Sequence, residues 1–415
     1  MTSSDCVGKK SHGGLQPIEQ ALSTLLETLQ PVNARQLQPL EIACNRVLAE
    51  PVVSSMDIPP HDNSAMDGYA LRCADLTARE DLKLQGTALA GAPFTEKVAP
   101  GHTVRIMTGA IIPSGADAIV MQEQTEVQQG RIRFLVKPQC GDNIRRAGED
   151  ISQGQCEIDA GKRLTPADIG VLASLGIAQV NTFRPLKVAI FSTGDELVLP
   201  GNPLKEGQIY DSNRPALRTL MQSLGIEVLD LGPIPDNKAA LQEAMEQATT
   251  CDAMISSGGV SVGEADYTKD MLEEMGQIHF WKLAIKPGKP FAFGHIRRCA
   301  YFGLPGNPVS AMVTFHQLVL PALRKLSGQS PRPAMLLKAK CTEPLKKNPG
   351  RMEFQRGIYC RGQDGALLVK STGKQGSGLM TSMARANCYI LLAQDQGCVA
   401  EGEVVQIQPF DDLHW

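Results

Sequence analysis

The runs KVAIFSTGDEL (187–197), IEVLDLGPIPD (226–236) and AMISSGGVS (253–261) decide the fold. Each is an apolar stretch that stops at a polar or glycine-bearing turn, and amphipathic segments (PALRTLMQSLG, 215–225; AALQEAMEQATT, 239–250) lie between them. Consecutive apolar positions mark strands covered on both faces, and helix-length crossovers join strands that run the same way, so the pattern predicts a parallel sheet between two layers of helices. HFWKLAI (279–285) reads as a further strand after the helical YTKDMLEEMG (267–276), giving an α/β domain over 187–327. Such sheets bind ligands beyond the carboxyl ends of their strands.

The rest of the chain has a different texture. Residues 1–14 read as a flexible polar tail, and 15–30 carry Leu15, Ile18, Leu22, Leu25, Leu26 and Leu29 at helical spacing until Pro31 stops the helix. Residues 51–149 are short apolar runs broken by Gly and Pro, a β-rich module with long loops. TPADIGVLASLGIAQV (165–180) has Thr ahead of Pro and glycine ahead of an apolar strand, a capped helix leading out of that module. From 328 to 415, alternating runs such as AMLLKAK, MEFQRGIYC and YILLAQ predict a β-barrel or sandwich. A chain of 415 residues at about 100–200 per domain has room for these several units.

Composition narrows the function. Hydrophobic residues at 42% and charged residues at 20% are ordinary globular usage, which excludes wholesale disorder, collagen-like repeats and coiled coil. With 41 basic and 44 acidic residues there is no global field for nucleic acid or an acidic membrane, so any anion site is local. Eleven scattered cysteines without a C-x-x-C pair point to reduced thiols. No apolar run reaches the roughly 18 residues of a membrane span, and the N-terminus shows no signal-peptide core. A cytoplasmic protein is expected.

Four turns should meet on one sheet edge: Ser192–Glu196, Pro235–Asp236, Ser256–Ser261 and Gly303–Pro308. Their glycines let backbone N–H groups approach an anion, so Thr193, Gly194, Ser257, Gly258, Gly259, Ser261, Gly306 and Asn307 are candidates for binding phosphate. One such loop could be no more than a tight turn; four on one edge favour a site. Neither a P-loop nor a G-x-G-x-x-G fingerprint is present, nor are the motifs of zinc enzymes and serine hydrolases. Carboxylates beside phosphate need a cation between them, and Mg²⁺ accepts one or two carboxylates plus substrate oxygens. Glu196, Asp236 and Asp266 are the candidate ligands, while Asp195 and Glu264 read as helix caps or solvated groups. Lys282, Ala284 and Lys286 alternate on the expected strand, which would turn both ammonium groups to one side, with Lys289 following in the turn.

The combination DNSAMDGYA (62–70), RIMTGA (105–110), GEDI (148–151), FSTGDEL (191–197), YDSNR (210–214), SSGGVSVGEADYTK (256–269), KLAIKPGKPFAFG (282–294) and GLPGNPVSA (303–311) resembles the molybdopterin molybdenumtransferase family, of the MoeA and gephyrin E-domain type. The resemblance runs from about residue 15 to the end. It implies a cytosolic, Mg²⁺-dependent homodimer that cleaves adenylylated molybdopterin, inserts molybdate and releases AMP. It places functional acids at Asp67, Asp150, Glu196, Asp236 and Asp266, bases at Arg145, Lys282 and Lys286, and further matches at Thr108, Pro305 and Pro308. A molybdate pocket would fall on Lys289, Arg356 and Ser377. It also implies that 15–50 and 150–186 form one discontinuous linking domain, and that a molybdopterin adenylyltransferase and Mo-enzyme maturation factors are partners. His61, Ile111, Ser114 and Asn237 depart from the family's commoner residues. The rival readings are a molybdopterin adenylyltransferase, which would resemble the α/β segment alone, and a gephyrin-like scaffold, which would call for a long linker and an appended domain.

Overall fold

The computed structural model describes residues 14–77, 79–259 and 276–411. The chain folds into two compact units, one made of the N-terminal segment to Gln36, Asn45–Val47 and everything from Thr182, the other of Leu37–Cys44 and Leu48–Asn181.

The first unit is built on a six-stranded sheet. Its strands are β1 (Lys187–Thr193), β2 (Glu227–Ile234), β3 (Ala253–Ser257), β4 (Gln277–Lys282), β5 (Pro290–Ile296) and β6 (Cys299–Leu304), in the order β2-β1-β3-β6-β5-β4. The first four in that order are parallel, as their crossovers predict. β5 and β4 extend the sheet antiparallel, because the short turn between β5 and β6, with Arg297 at φ 55°, can only reverse the chain. Period-two alternation makes β1 apolar on both sides. Val188 and Ile190 pack in a core with Leu217, Leu220 and Met221 of helix α1 (Asn213–Ser223). Ala189 and Phe191 face Leu241 and Met245 of helix α2 (Lys238–Ala248). The expected helix Ile18–Thr28 is present, buries Ile18, Ala21 and Leu25, and joins the first of these cores.

Strand β4 stops at Lys282, which differs from the single strand expected over 279–285. Leu283, Ala284 and Ile285 are all buried, and Ile285–Lys286 pairs instead with Met352–Glu353 of the C-terminal region. The change of sheet ends the alternation that would have set Lys282 and Lys286 side by side. The C-terminal strands Leu337–Cys341, Met352–Arg361, Leu367–Ser371, Cys388–Leu392 and Val404–Pro409 close into a five-stranded barrel, because Met352–Arg361 bonds both Leu367–Ser371 and Cys388–Leu392. Closure leaves these strands no free edge.

The second unit carries its own six-stranded sheet, with strands His102–Ile106 and Asp81–Ala88 at its centre and two small cores of its own. Helix Pro166–Ser174 begins at the predicted cap. The Thr165 Oγ1 accepts from Asp168 N at 3.3 Å while Asp168 Oδ2 accepts from Thr165 N at 2.8 Å, so two orphan donors are satisfied reciprocally.

Helix α1 is tied to the sheet by charge as well as by apolar contact. Arg214, only 8% exposed in its side chain, donates from Nε to Asp211 at 2.9 Å and from Nη1 to Asp230 of β2. Burial pushes the Asp230 carboxyl up, but the Gly232 N–H, Arg214 and Arg218 outweigh it and hold the group below the usual carboxylate range. Its ionised form therefore stabilises the fold above its unfolded pKa of about 3.9, and that contribution disappears as pH falls through the lower folded value. Arg214→Met leaves Asp211 and Asp230 without their buried partner and should cost about 3–5 kcal/mol in urea denaturation at pH 7, with a smaller deficit at pH 3.

Candidate functional site

At the carboxyl edge of the parallel strands lies a cleft of about 1010 Å³. Three of the four expected turns meet there with part of the fourth: Thr193, Gly194 and Glu196 after β1, Asp236 after β2, Ser257, Gly258 and Gly259 after β3, and Pro305, Gly306, Asn307 and Pro308 after β6. The barrel and the segment joining it add Lys286, Lys289, Arg351 and Gln375–Ser377 to the wall.

The turns are interlocked. Gly258, at φ +99°, has so close a neighbour that a Cβ there would stand 2.7 Å from the Thr193 carbonyl oxygen. Its N–H donates to Leu304 O at 3.0 Å. Asn213 Nδ2 donates to Ser257 Oγ at 2.8 Å and to Gly306 O at 2.7 Å, so one amide joins two turns to the start of α1. The Oδ1 of the same residue is buried and accepts no hydrogen bond, which leaves an acceptor facing nothing on a wall of the cleft. Ser192 Oγ donates to the buried Asp211 Oδ2 at 2.7 Å, and Asp211 is otherwise engaged by Arg214, so this carboxylate braces the wall.

The cleft carries charges of both signs. Glu196 and Asp236 line it, and Asp195 accepts from the Asp236 N–H at 3.1 Å. Burial, then the charges of Asp195 and Glu196, push the Asp236 carboxyl above the usual range. That is the signature of acids gathered together. Lys286, Lys289 and Arg351 line the same cleft. Lys286 Nζ donates to Glu353 Oε1 of the barrel at 3.0 Å.

The remaining expected residues are distributed as follows. Lys282 ends β4, exposed, and does not line the cleft. Arg356 is 1% exposed and sits behind the wall, where its Nη2 donates to Gly376 O at 3.2 Å and its Nε to Ser382 Oγ at 3.1 Å; its partners in the proposed molybdate set, Lys289 and Ser377, do line the cleft. Burial pulls the Arg356 guanidinium down to about 10. Ser261, Glu264 and Asp266 lie outside the described residues. Asp67, Thr108, Arg145 and Asp150 belong to the second unit. There Asp67 Oδ1 accepts from both the N and Oγ1 of Thr108 at 2.7 Å, which holds its carboxyl below the usual range. Arg145 lies on a short strand paired with Asn63, and the Asp150 N–H donates to Ile58 O at 3.0 Å.

Three family models match the chain in order: the MoeA N-terminal region (domains I and II) over residues 16–176, a probable molybdopterin-binding domain over 189–325, and the MoeA C-terminal region (domain IV) over 338–410. The chain is 48% identical over 399 residues to a molybdopterin molybdenumtransferase of Haemophilus influenzae, covering 95% of this chain and 99% of that protein. The chain belongs to the MoeA family. A crystal structure of the molybdopterin biosynthesis MoeA protein from Pyrococcus horikoshii shares 31% identity and a TM-score of 0.84 over 95% of this chain and 100% of that one. Gephyrin of Dictyostelium discoideum is 32% identical over 97% of this chain, but that match takes up only 63% of gephyrin. Membership gives the cleft its setting: the molybdopterin-binding match spans residues 189–325, the part of the chain that supplies most of the wall.

Sequence reasoning missed Asp211, Asn213, Arg351 and Gln375. The first two stand in YDSNR at the start of α1; Arg351 and Gln375 lie in turns of the C-terminal region, and only the fold brings that region to the sheet edge, as in the Val309 N–H bond to Ser377 O at 2.9 Å. Gly258→Ala should lower stability by about 1–3 kcal/mol through the unfavourable backbone alone, with more from the Thr193 contact, read as a lower urea midpoint at unchanged m-value.

Proposed function

We propose that this chain is a molybdopterin molybdenumtransferase, which inserts molybdate into molybdopterin during molybdenum cofactor biosynthesis. The observation that carries the reading is one cleft lined by acids, glycine turns and lysines together, on a chain that matches its enzymatic relatives from end to end. In its fuller form the substrate is adenylylated molybdopterin, the phosphoanhydride is cleaved, and AMP leaves.

Each residue has a task in that reaction. Gly258, Gly259 and Gly306 allow the diphosphate close to main-chain N–H groups, and Ser257 and Thr193 offer hydroxyls beside them. Lys286 and Lys289 present ammonium groups to an oxyanion, where molybdate would enter as the second substrate. Catalysis then rests on charges already in place when the bond breaks.

Mg²⁺ is the cofactor in this proposal. Among the described residues no three His, Cys, Asp or Glu side chains form a metal cage. Glu196 and Asp236 nonetheless fit an ion that takes one or two carboxylates and fills its shell with water and substrate phosphate, and Asp266 is the third candidate. When bound, the ion would offset charge developing on the bridging phosphate oxygens.

A homodimer, a molybdopterin adenylyltransferase that supplies the substrate, and Mo-enzyme maturation factors that take the product complete the proposal, together with a cytoplasmic location. No helix among the described residues is long and apolar enough to cross a membrane. An adenylyltransferase reading is not favoured, since the match to the transferases includes the N-terminal and C-terminal regions.

The test is to supply adenylylated molybdopterin and Mg²⁺ with and without molybdate, and to follow AMP and molybdenum incorporation. Molybdate-dependent turnover is expected, with Asp236→Asn slower by about 10²-fold or more. In metal-free buffer that variant should melt higher than the parent at pH 7, because the raised carboxyl costs stability as it ionises, and Mg²⁺ should raise the parent's Tm more than the variant's. Equal AMP release with and without molybdate would overturn the assignment.

A further inference from the structure

Strand Met352–Arg361 of the barrel buries three polar side chains close together: Glu353 at 5%, Gln355 at 5% and Arg356 at 1% exposure. A barrel core built for stability alone would place apolar groups there, because a buried carboxylate is costly unless paired. Each of these groups has a fixed partner, and the partners lead toward the cleft.

Glu353 is held from one side by Gln355, whose Nε2 donates to Glu353 Oε2 at 3.0 Å and to Lys346 O at 2.9 Å. Its other oxygen accepts from Lys286 Nζ at 3.0 Å. The backbone enforces the same juxtaposition: Lys286 is the direct parallel-strand neighbour of Glu353, and Met352 N donates to Ala284 O at 2.8 Å. Lys286, in contrast, is half exposed and lines the cleft. An ammonium has three donors. With one committed to a buried carboxylate that Gln355 also holds, the other two are left for whatever occupies the cleft.

We propose that Glu353 is a positioning residue for the transferase reaction: from inside the barrel it fixes the direction of the Lys286 ammonium, so that the lysine meets its oxyanion already oriented. The inference rests on the transferase reading above. A free lysine loses rotamer entropy when it closes on a ligand, and Glu353 removes that cost before the ligand arrives. Arg356 does the corresponding work for the neighbouring turn. Its main-chain N accepts nothing but donates to Gln375 Oε1 at 2.8 Å, and its guanidinium holds Gly376 O, so the wall around Ser377 is set by the same strand.

The test is a double-mutant cycle in the full chain with Glu353→Gln and Lys286→Met, read as kcat and KM for molybdate-dependent AMP release, beside Tm and the acylation rate of Lys286 followed by mass spectrometry. Glu353→Gln keeps the shape and an acceptor oxygen while removing the charge. We expect kcat/KM to fall about tenfold in the single variant, Glu353→Asp to recover part of it, and no further loss when Glu353→Gln is added to Lys286→Met, since residues that act as one unit are not additive. Lys286 should acylate several-fold faster once released. Equal losses in both backgrounds, or an acylation rate unchanged by Glu353→Gln, would overturn the proposal. The acylation arm needs no turnover, so a failure of the transferase reading itself would show separately, as a parent protein without molybdate-dependent activity but with a released lysine in the variant.

Discussion

The site depends on how closely backbone can approach backbone at the carboxyl edge of the sheet. Thr193 and Gly258 end adjacent parallel strands, and they meet at a distance that leaves no room for a side-chain carbon on the second. That contact brings the turns after β1, β3 and β6 onto one wall, with Asn213 bonding two of them. Everything else in the cleft is placed relative to it. The acids of Glu196 and Asp236 hang from the turns at the end of β1 and β2, and the barrel closes the other side through Val309 and Ser377.

The consequence is a cleft that carries charges of both signs on well-packed elements. Asp236 is pushed up by burial and by Asp195 and Glu196, while Arg214 ties α1 to the sheet through Asp211 and Asp230 and so supports the wall that Ser192 and Asp211 brace. The barrel is part of this support. It supplies Arg351 and Gln375–Ser377 to the cleft and a carboxylate to Lys286.

How much of this was legible in the sequence follows from the range of the interactions. The parallel strands, α1, α2 and the Thr165 cap are written in local periodicity and spacing, and they were read correctly, as was the meeting of the glycine turns. The break after Lys282 was not, because Leu283, Ala284 and Ile285 are apolar in either sheet and only pairing with Met352–Glu353 decides which one they join. Closure of the barrel likewise depends on bonds between Met352–Arg361 and Cys388–Leu392, far apart in the chain. Arg356 entered through the family resemblance and not through any local pattern, and its burial and its bond to Gly376 O come from contacts that only the fold makes. The family resemblance, carried by eight motifs in order, reached further than any physical reading of single residues, and most of those motifs lie within the ranges that the family models match.

The central claim is that one cleft gathers the oxyanion beside the lysines of this unit. Anomalous diffraction from crystals soaked in molybdate tests it most directly. The account predicts a molybdenum peak in the cleft within hydrogen-bonding reach of Lys286, Lys289 or Ser377, lost in Lys286→Met crystals; a peak confined to another surface, or one indifferent to that substitution, would contradict it.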